Sequence, residues 1–140
     1  MAEQGDADKA VRVSGSYDFT APAEVVFDVL TDPDRTSRWL PRGMNTESAT
    51  ADQVRIRVGE QLHTYGVKVV TDHRELQWHS REVAGLHGTA RVDDAPVGGS
   101  VVHAEVVVPA RLADDHRVRN LLAETMLHLG RDVSDNFNAG

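Results

Sequence analysis

The hydrophobic period changes once along this chain, and that change limits what it can fold into. Between residues 45 and 108 apolar side chains recur at every second position, in short runs separated by turn residues. After Pro109 the spacing becomes three and four, and Val118, Leu121, Leu122, Thr125, Leu129, Val133 and Phe137 form one stripe. Alternation by two makes strands with one buried face, whereas a period near 3.6 makes an amphipathic helix. The first region therefore predicts about six antiparallel strands joined by short hairpins. The second predicts one long helix over about 114–136, with Asp114 and Asp115 at the end where the helix dipole favours negative charge. A sheet of that size has an apolar face wider than one helix, whose diameter is about 10 Å. The sheet must curl around the helix.

Upstream, Val11, Val13, Gly15, Tyr17 and Phe19 alternate with Arg12, Ser14, Ser16 and Asp18, which is a first strand. Thr20 before Ala21-Pro22-Ala23-Glu24 reads as a helix start: a Thr cap, a Pro in the first turn and a Glu close behind. That helix carries Val25, Val26, Phe27, Val29 and Leu30 and stops near Asp32-Pro33. Pro33 opens a second short helix, which runs through Arg38 to Trp39 and ends at Pro41 and Gly43. In the alternating region, 45–51 is a weak strand, Gln53 to Val58 a clean one, and Gly59-Glu60 a tight turn. Strands follow over Gln61 to Thr71, Glu75 to Val83, Leu86 to Asp93 and Ser100 to Val108. The expected class is α+β: a curved antiparallel sheet of about seven strands around a long C-terminal helix, with two short helices after the first strand. Residues 1–9, small, polar and acidic, are expected to be a flexible tail, and 10–140 one domain.

Composition removes several function classes. The net charge is −7 and no Lys/Arg cluster runs along the chain, so nucleic acid is not the expected partner. Without cysteine there is no disulfide, thiolate metal site or cysteine nucleophile. The N-terminus lacks a signal-peptide pattern and the apolar runs fall short of the ~20 residues that span a bilayer, so a cytoplasmic protein without membrane insertion is expected. The seven histidines show no metal-ligand spacing, and neither a metal nor a cofactor is expected. Gly98-Gly99-Ser100 lacks the nucleophile-elbow and phosphate-loop patterns. Gly85-Leu86-His87-Gly88 is too sparse for a dinucleotide loop.

If Gly59-Glu60 is the turn, Val58 faces Gln61. The apolar face of Val54, Ile56 and Val58 then continues as Gln61, His63, Tyr65, Val67 and Val69. His63 and Tyr65 point the same way, about 6–7 Å apart along the strand. A neutral His accepts a proton and a Tyr donates one to a carbonyl, which would suit an enolisation or aldol-type step. Equally, both could simply hydrogen-bond at a rim or to buried water. Trp78 shares a face with Leu76 and Ser80 and points inward, as core or as ligand contact. Trp39 and Leu40 put apolar side chains at the end of a charged, broken helix. They read either as a lid over an apolar cavity or as a core anchor. On the last helix Leu121, Leu122, Thr125, Met126 and Leu129 form a wall, in which Met is adaptable. Phe27 and Met44 complete the candidate ligand-facing set.

Ala21-Pro22-Ala23-Glu24-Val25-Val26-Phe27, Leu30-Thr31-Asp32-Pro33 and Trp39-Leu40-Pro41, in this order of elements, resemble the START-like (SRPBCC, Bet v 1-like) superfamily. The resemblance covers roughly residues 11–137 and is nearest to the polyketide cyclase/dehydrase and lipid-transport branch. It implies a helix-grip fold and a cavity between sheet and C-terminal helix that takes a lipid-, polyketide- or aromatic-like molecule. Some such proteins carry or sense a ligand, and others are cyclases or dehydratases, for which His63 and Tyr65 are the candidate acid/base pair. The Hsp90-activator-like branch has a similar Leu-Thr-Asp-Pro…Trp segment and implies protein interaction instead. A homodimer stays open.

Overall fold

The two-residue turn at Gly59-Glu60 sets the register of the sheet. Gly59 has φ +63°, the left-handed conformation that such a turn requires, and Val58 sits opposite Gln61. The computed structural model describes residues 10–112 and 114–139, the last four by backbone alone. The expected tail over 1–9 and the position of Phe137 on the helix stripe lie outside the described residues.

The chain runs β1 (Ala10–Phe19), α1 (Ala23–Thr31), a 3₁₀ turn (Pro33–Arg35), α2 (Thr36–Trp39) and β2 (Met44–Ala49). It continues through β3 (Gln53–Val58), β4 (Gln61–Val70), β5 (Glu75–Ser80), β6 (His87–Asp94) and β7 (Ser100–Pro109) to α3 (Asp115–Ala139). All strand pairs are antiparallel, in the order β1-β7-β6-β5-β4-β3-β2. The expected α+β helix-grip architecture is the one observed.

Three local details differ from expectation. Thr20 is not the cap of α1. Pro22 takes that position, with its carbonyl accepting from Val25 and Val26, and no side chain caps the helix. Proline's fixed φ of −60° suits the residue immediately before the first turn as well as the first turn itself. The second difference is at β5, which ends at Ser80 rather than Val83. Ser80 Oγ accepts from the backbone N–H of Glu82 (3.2 Å) and Val83 (2.9 Å), bending the chain out of the sheet. The third is that α3 runs to Ala139, beyond the expected end near 136. Its start is capped as Asp114 allows: Asp114 Oδ1 accepts from Arg117 N–H at 3.1 Å.

The core lies on the concave face of β1, β5, β6 and β7, beneath α1 and α3. Val13, Val92, Val102 and Ala104 from the sheet meet Val26, Phe27 and Leu30 of α1 and Leu122, Met126, Leu129 and Val133 of α3. Ser100 is buried among them because its hydroxyl donates to the Ala21 carbonyl at 2.8 Å, tying the end of β1 to the start of β7.

Candidate functional site

The sheet presents one continuous inner face, and helix position divides it in two. Residues directly opposite on neighbouring strands share a face, so Thr46, Ile56 and His63 form one row and Val54, Tyr65 and Ser80 another. Val67 and Trp78 continue toward Gly88 and Val106. Over β6, β7 and the middle of β1 this face is covered by α1 and α3, where Val13, Ala90, Val92, Val102 and Ala104 are buried. The backbone of α3 approaches β1, α1 and α2 more closely than it approaches β3–β5. On β3–β5, Val54, His63, Tyr65, Val67 and Trp78 are half-buried, while Ile56 and Leu76 on the same face are buried.

The structure thus distributes the sequence-derived candidates into three groups. His63, Tyr65, Val67, Trp78, Met44, Leu40, Trp39 and Thr125 are half-buried. Phe27, Leu122, Met126 and Leu129 are buried in the core cluster, and Ile56 is buried on β3 outside that cluster. Gln61 is exposed at the rim. The hydroxyl of Thr125 donates to its own helix, to the Leu121 carbonyl at 2.8 Å.

Packing fixes the aromatic residues. Trp78 lies across Gly88 on the neighbouring strand, where a Cβ would come within 2.5 Å of the indole. Only glycine leaves room for the ring to lie flat. Tyr65 meets Trp78 edge to face, with ring centroids 5.7 Å apart. Burial, and secondarily the Glu82 carboxylate, raises the Tyr65 phenol above its ordinary value. Tyr65 is therefore a proton donor and not a base at neutral pH.

The broken helix is held down by a polar stripe that sequence reasoning missed. Glu124, His128 and Asp132 fall four residues apart on α3, beside the apolar stripe. Each binds the segment between α1 and β2. Asp132, only 5% exposed, takes two hydrogen bonds from Arg35, 2.8 and 3.0 Å long, and lies 3.7 Å from Arg38. His128 Nδ1 lies 2.9 Å from the Leu40 carbonyl oxygen, and Glu124 accepts from the Arg42 N–H at 2.6 Å. The spacing of three polar residues on an otherwise amphipathic helix was the available signal. Arg35, with Asp132 as hydrogen-bond partner, is raised beyond the ordinary guanidinium value.

Among the described residues, two buried polar atoms have no hydrogen-bond partner: the indole Nε1 of Trp39 and the hydroxyl of Thr46. Thr46 stands opposite Ile56 on the inner face of edge strand β2, where the pairing shifts between Thr46 and Ser48.

The convex face holds a different arrangement. Ser16 Oγ lies 2.9 Å from His103 Nδ1, and His103 Nε2 lies 3.1 Å from Asp93, whose carboxylate Arg91 shares at 3.1 Å. This chain edges a shallow cleft of about 360 Å³ that includes Ser14, Glu75, Thr89 and Glu105. It lies open to water, without the water-excluded surroundings that strengthen electrostatics at a reacting centre. Among the described residues no group of three or more His, Asp or Glu is placed to hold a metal ion. No described helix is long and apolar enough to cross a membrane.

A curved antiparallel sheet gripping one long helix, with short helices closing one end of its inner face, defines the helix-grip class of proteins. Within that class, the family model for polyketide cyclase / dehydrase and lipid transport matches residues 10–130, and the chain belongs to this family. Solved structures agree on the fold. A protein from Nitrosomonas europaea superposes with TM-score 0.74 at 14% identity, covering 93% of this chain and 97% of that one. An AHSA1-like protein from Aeromonas hydrophila gives 0.72 at 14% identity, covering 90% and 94%. The Zhui aromatase/cyclase from Streptomyces sp. R1128 gives 0.59 at 12% identity, covering 89% and 92%. No curated protein sequence matches significantly.

Proposed function

We propose that this protein binds a small hydrophobic molecule, lipid-, polyketide- or aromatic-like, in the concavity between β2–β5, α2 and α3, as a carrier or sensor. One observation carries this reading. On β3–β5 the inner face leaves Val54, Val67 and Trp78 half-buried beside Tyr65 and His63, whereas Ala90, Val92, Val102 and Ala104 on β6 and β7 are buried beneath the helices. Exposed apolar surface in a concave setting is what a ligand of this kind covers. Trp39 and Leu40, at the end of the latched helix, supply the wall opposite. The family's description as polyketide cyclase/dehydrase and lipid transport supports the same class of ligand.

Native mass spectrometry of freshly purified protein, followed by organic extraction, tests the proposal. A co-purified apolar molecule is the expected result, and the same spectrum reads the oligomeric state. If neither a co-purified species nor any of a panel of naphthyl and acyl-chain probes binds, the reading fails. Attention then moves to protein interaction, as the likeness to the AHSA1-like protein would suggest.

A second reading adds chemistry at the same place. Tyr65 is held protonated on the face it shares with His63, so the pair could act on a carbonyl, with Tyr65 as donor and His63 as base. The resemblance in fold to an aromatase/cyclase supports testing it. His63→Ala and Tyr65→Phe should spare binding and abolish turnover of a poly-ketone substrate. Equal loss of binding and turnover would reject the catalytic assignment.

A further inference from the structure

We infer that Leu40 and the turn at 41–44 form the entrance gate of the concavity, anchored by the Arg35–Asp132 pair and released from α3 at His128 and Glu124. The inference rests on the concavity reading and deepens it by assigning the route of the ligand. α2 packs on α3 at one side and on edge strand β2 at the other, so the segment it belongs to closes the gap between the long helix and that edge of the sheet. The ties along this segment are graded. At its start Arg35 gives two hydrogen bonds to Asp132, a carboxylate only 5% exposed, and water and salt compete poorly for such a pair. Further on, among the described residues, two hydrogen bonds tie 40–43 to α3, both through polar side chains. His128 Nδ1 lies 2.9 Å from the Leu40 carbonyl oxygen, and Glu124 accepts from the Arg42 N–H at 2.6 Å. His128 is 22% and Glu124 34% exposed, so water can replace either bond, which is the mark of a segment that opens locally. The turn itself is one unit. The Met44 N–H donates to the Pro41 carbonyl at 3.1 Å, and Gly43, at φ +90°, supplies the left-handed residue that such a turn needs. Nothing lies within 4 Å of where a Cβ on Gly43 would stand, so the turn has room to move as a body. Parting the two bonds swings Leu40 off α3 and opens the half-buried face of β3–β5 from the side of the edge strand, while Arg35 keeps the start of the segment attached.

The test is stopped-flow binding of N-phenyl-1-naphthylamine, an apolar fluorescent probe, to the full chain. Glu124→Ala and His128→Ala each remove one tie. A gate predicts that association and dissociation both accelerate about ten-fold, the weight of one hydrogen bond, while Kd stays within about two-fold. A fixed wall that contacts the ligand predicts faster dissociation at an unchanged association rate, and that result would overturn the inference. Unchanged rates in both variants would overturn it equally. The chain contains no cysteine, so Arg42→Cys with Glu124→Cys introduces a single pair of thiols. Bridging them with a short bis-methanethiosulfonate should slow uptake and release by about ten-fold or more, and reduction should restore both. Uptake by the bridged protein at its unbridged rate would place the entrance elsewhere and overturn the assignment, even where an alanine variant fails to fold. Each of these contrary results leaves the concavity reading intact, because the probe still binds. No binding to the unaltered chain removes the concavity reading and the inference together.

Discussion

Removing the Asp132 carboxylate should cost this fold more than any single surface ion pair. Asp132→Ala leaves Arg35 with its charge, packed against α3 and 21% exposed, and without the carboxylate that takes its two short hydrogen bonds. Breaking a fully buried pair costs about 3–5 kcal/mol, chiefly because the surviving charge stays desolvated. Arg35 keeps some access to water, so about 2–3 kcal/mol is the appropriate range here. With a urea m-value of about 1.5 kcal/mol/M for a small domain, the midpoint should fall by between about 1 and 2 M. Arg38→Ala is the internal control. Its guanidinium is 61% exposed and 3.7 Å from the same carboxylate, and its removal should cost no more than about 0.5 kcal/mol. Equilibrium urea unfolding followed by Trp fluorescence reads both. Coincident curves for the two variants would refute the argument that the latch is a desolvated pair. A third variant, Arg35→Met with Asp132→Leu, should recover much of the loss, because an apolar pair of similar volume carries no desolvation cost.

Other outcomes follow from single contacts. Gly88→Ala should lower stability by about 1–3 kcal/mol, since its Cβ would meet the Trp78 indole and displace the ring; thermal melts and near-UV dichroism of the indole check it. Ser100→Ala should cost about 1 kcal/mol by leaving the buried Ala21 carbonyl unpaired, read from the urea midpoint. The Tyr65 phenol is raised above its ordinary value of 10.0. Both states are protonated below that value, and the unfolded chain ionises first above it. Stability should therefore be unaffected at neutral pH and fall as the pH rises above 10.0 toward the folded value. Tyr65→Phe should flatten that alkaline decline in unfolding curves, and an unchanged decline would contradict the burial of this phenol.

The fold was legible because its two periods are uninterrupted. The register of Val58 on Gln61, and with it the inward direction of His63, Tyr65 and Val67, followed from one Gly in one turn. What stayed hidden depends on where the long helix sits. Parity places Leu76 and Trp78 on the same face, yet Leu76 is buried and Trp78 half-open, because α3 lies toward β1. Phe27 and Leu129 looked equally able to line a ligand, and only the docking of α1 against α3 puts both in the core. The burial of the Thr46 hydroxyl was hidden for another reason. The segment around it alternates weakly, so no inner face could be read, and an unpartnered hydroxyl is a property of three-dimensional surroundings.

The strand order carries a consequence for how the chain assembles. Six strands, β2 to β7, are joined hairpin by hairpin, so each can pair as soon as its neighbour exists. β1 is different, because among the described residues its one strand partner is β7, and the Arg12–Glu105 pair spans 93 positions. β1 is synthesised before β2–β7 and must therefore wait for almost the whole sheet. Until then it presents Val11, Val13, Tyr17 and Phe19 without cover. Closing such a long loop is the slow, entropically costly step of folding. The same delay leaves β7 as a temporary open edge able to capture β1 from another molecule. Exchange of that strand between chains is the misassembly that this topology invites at high concentration.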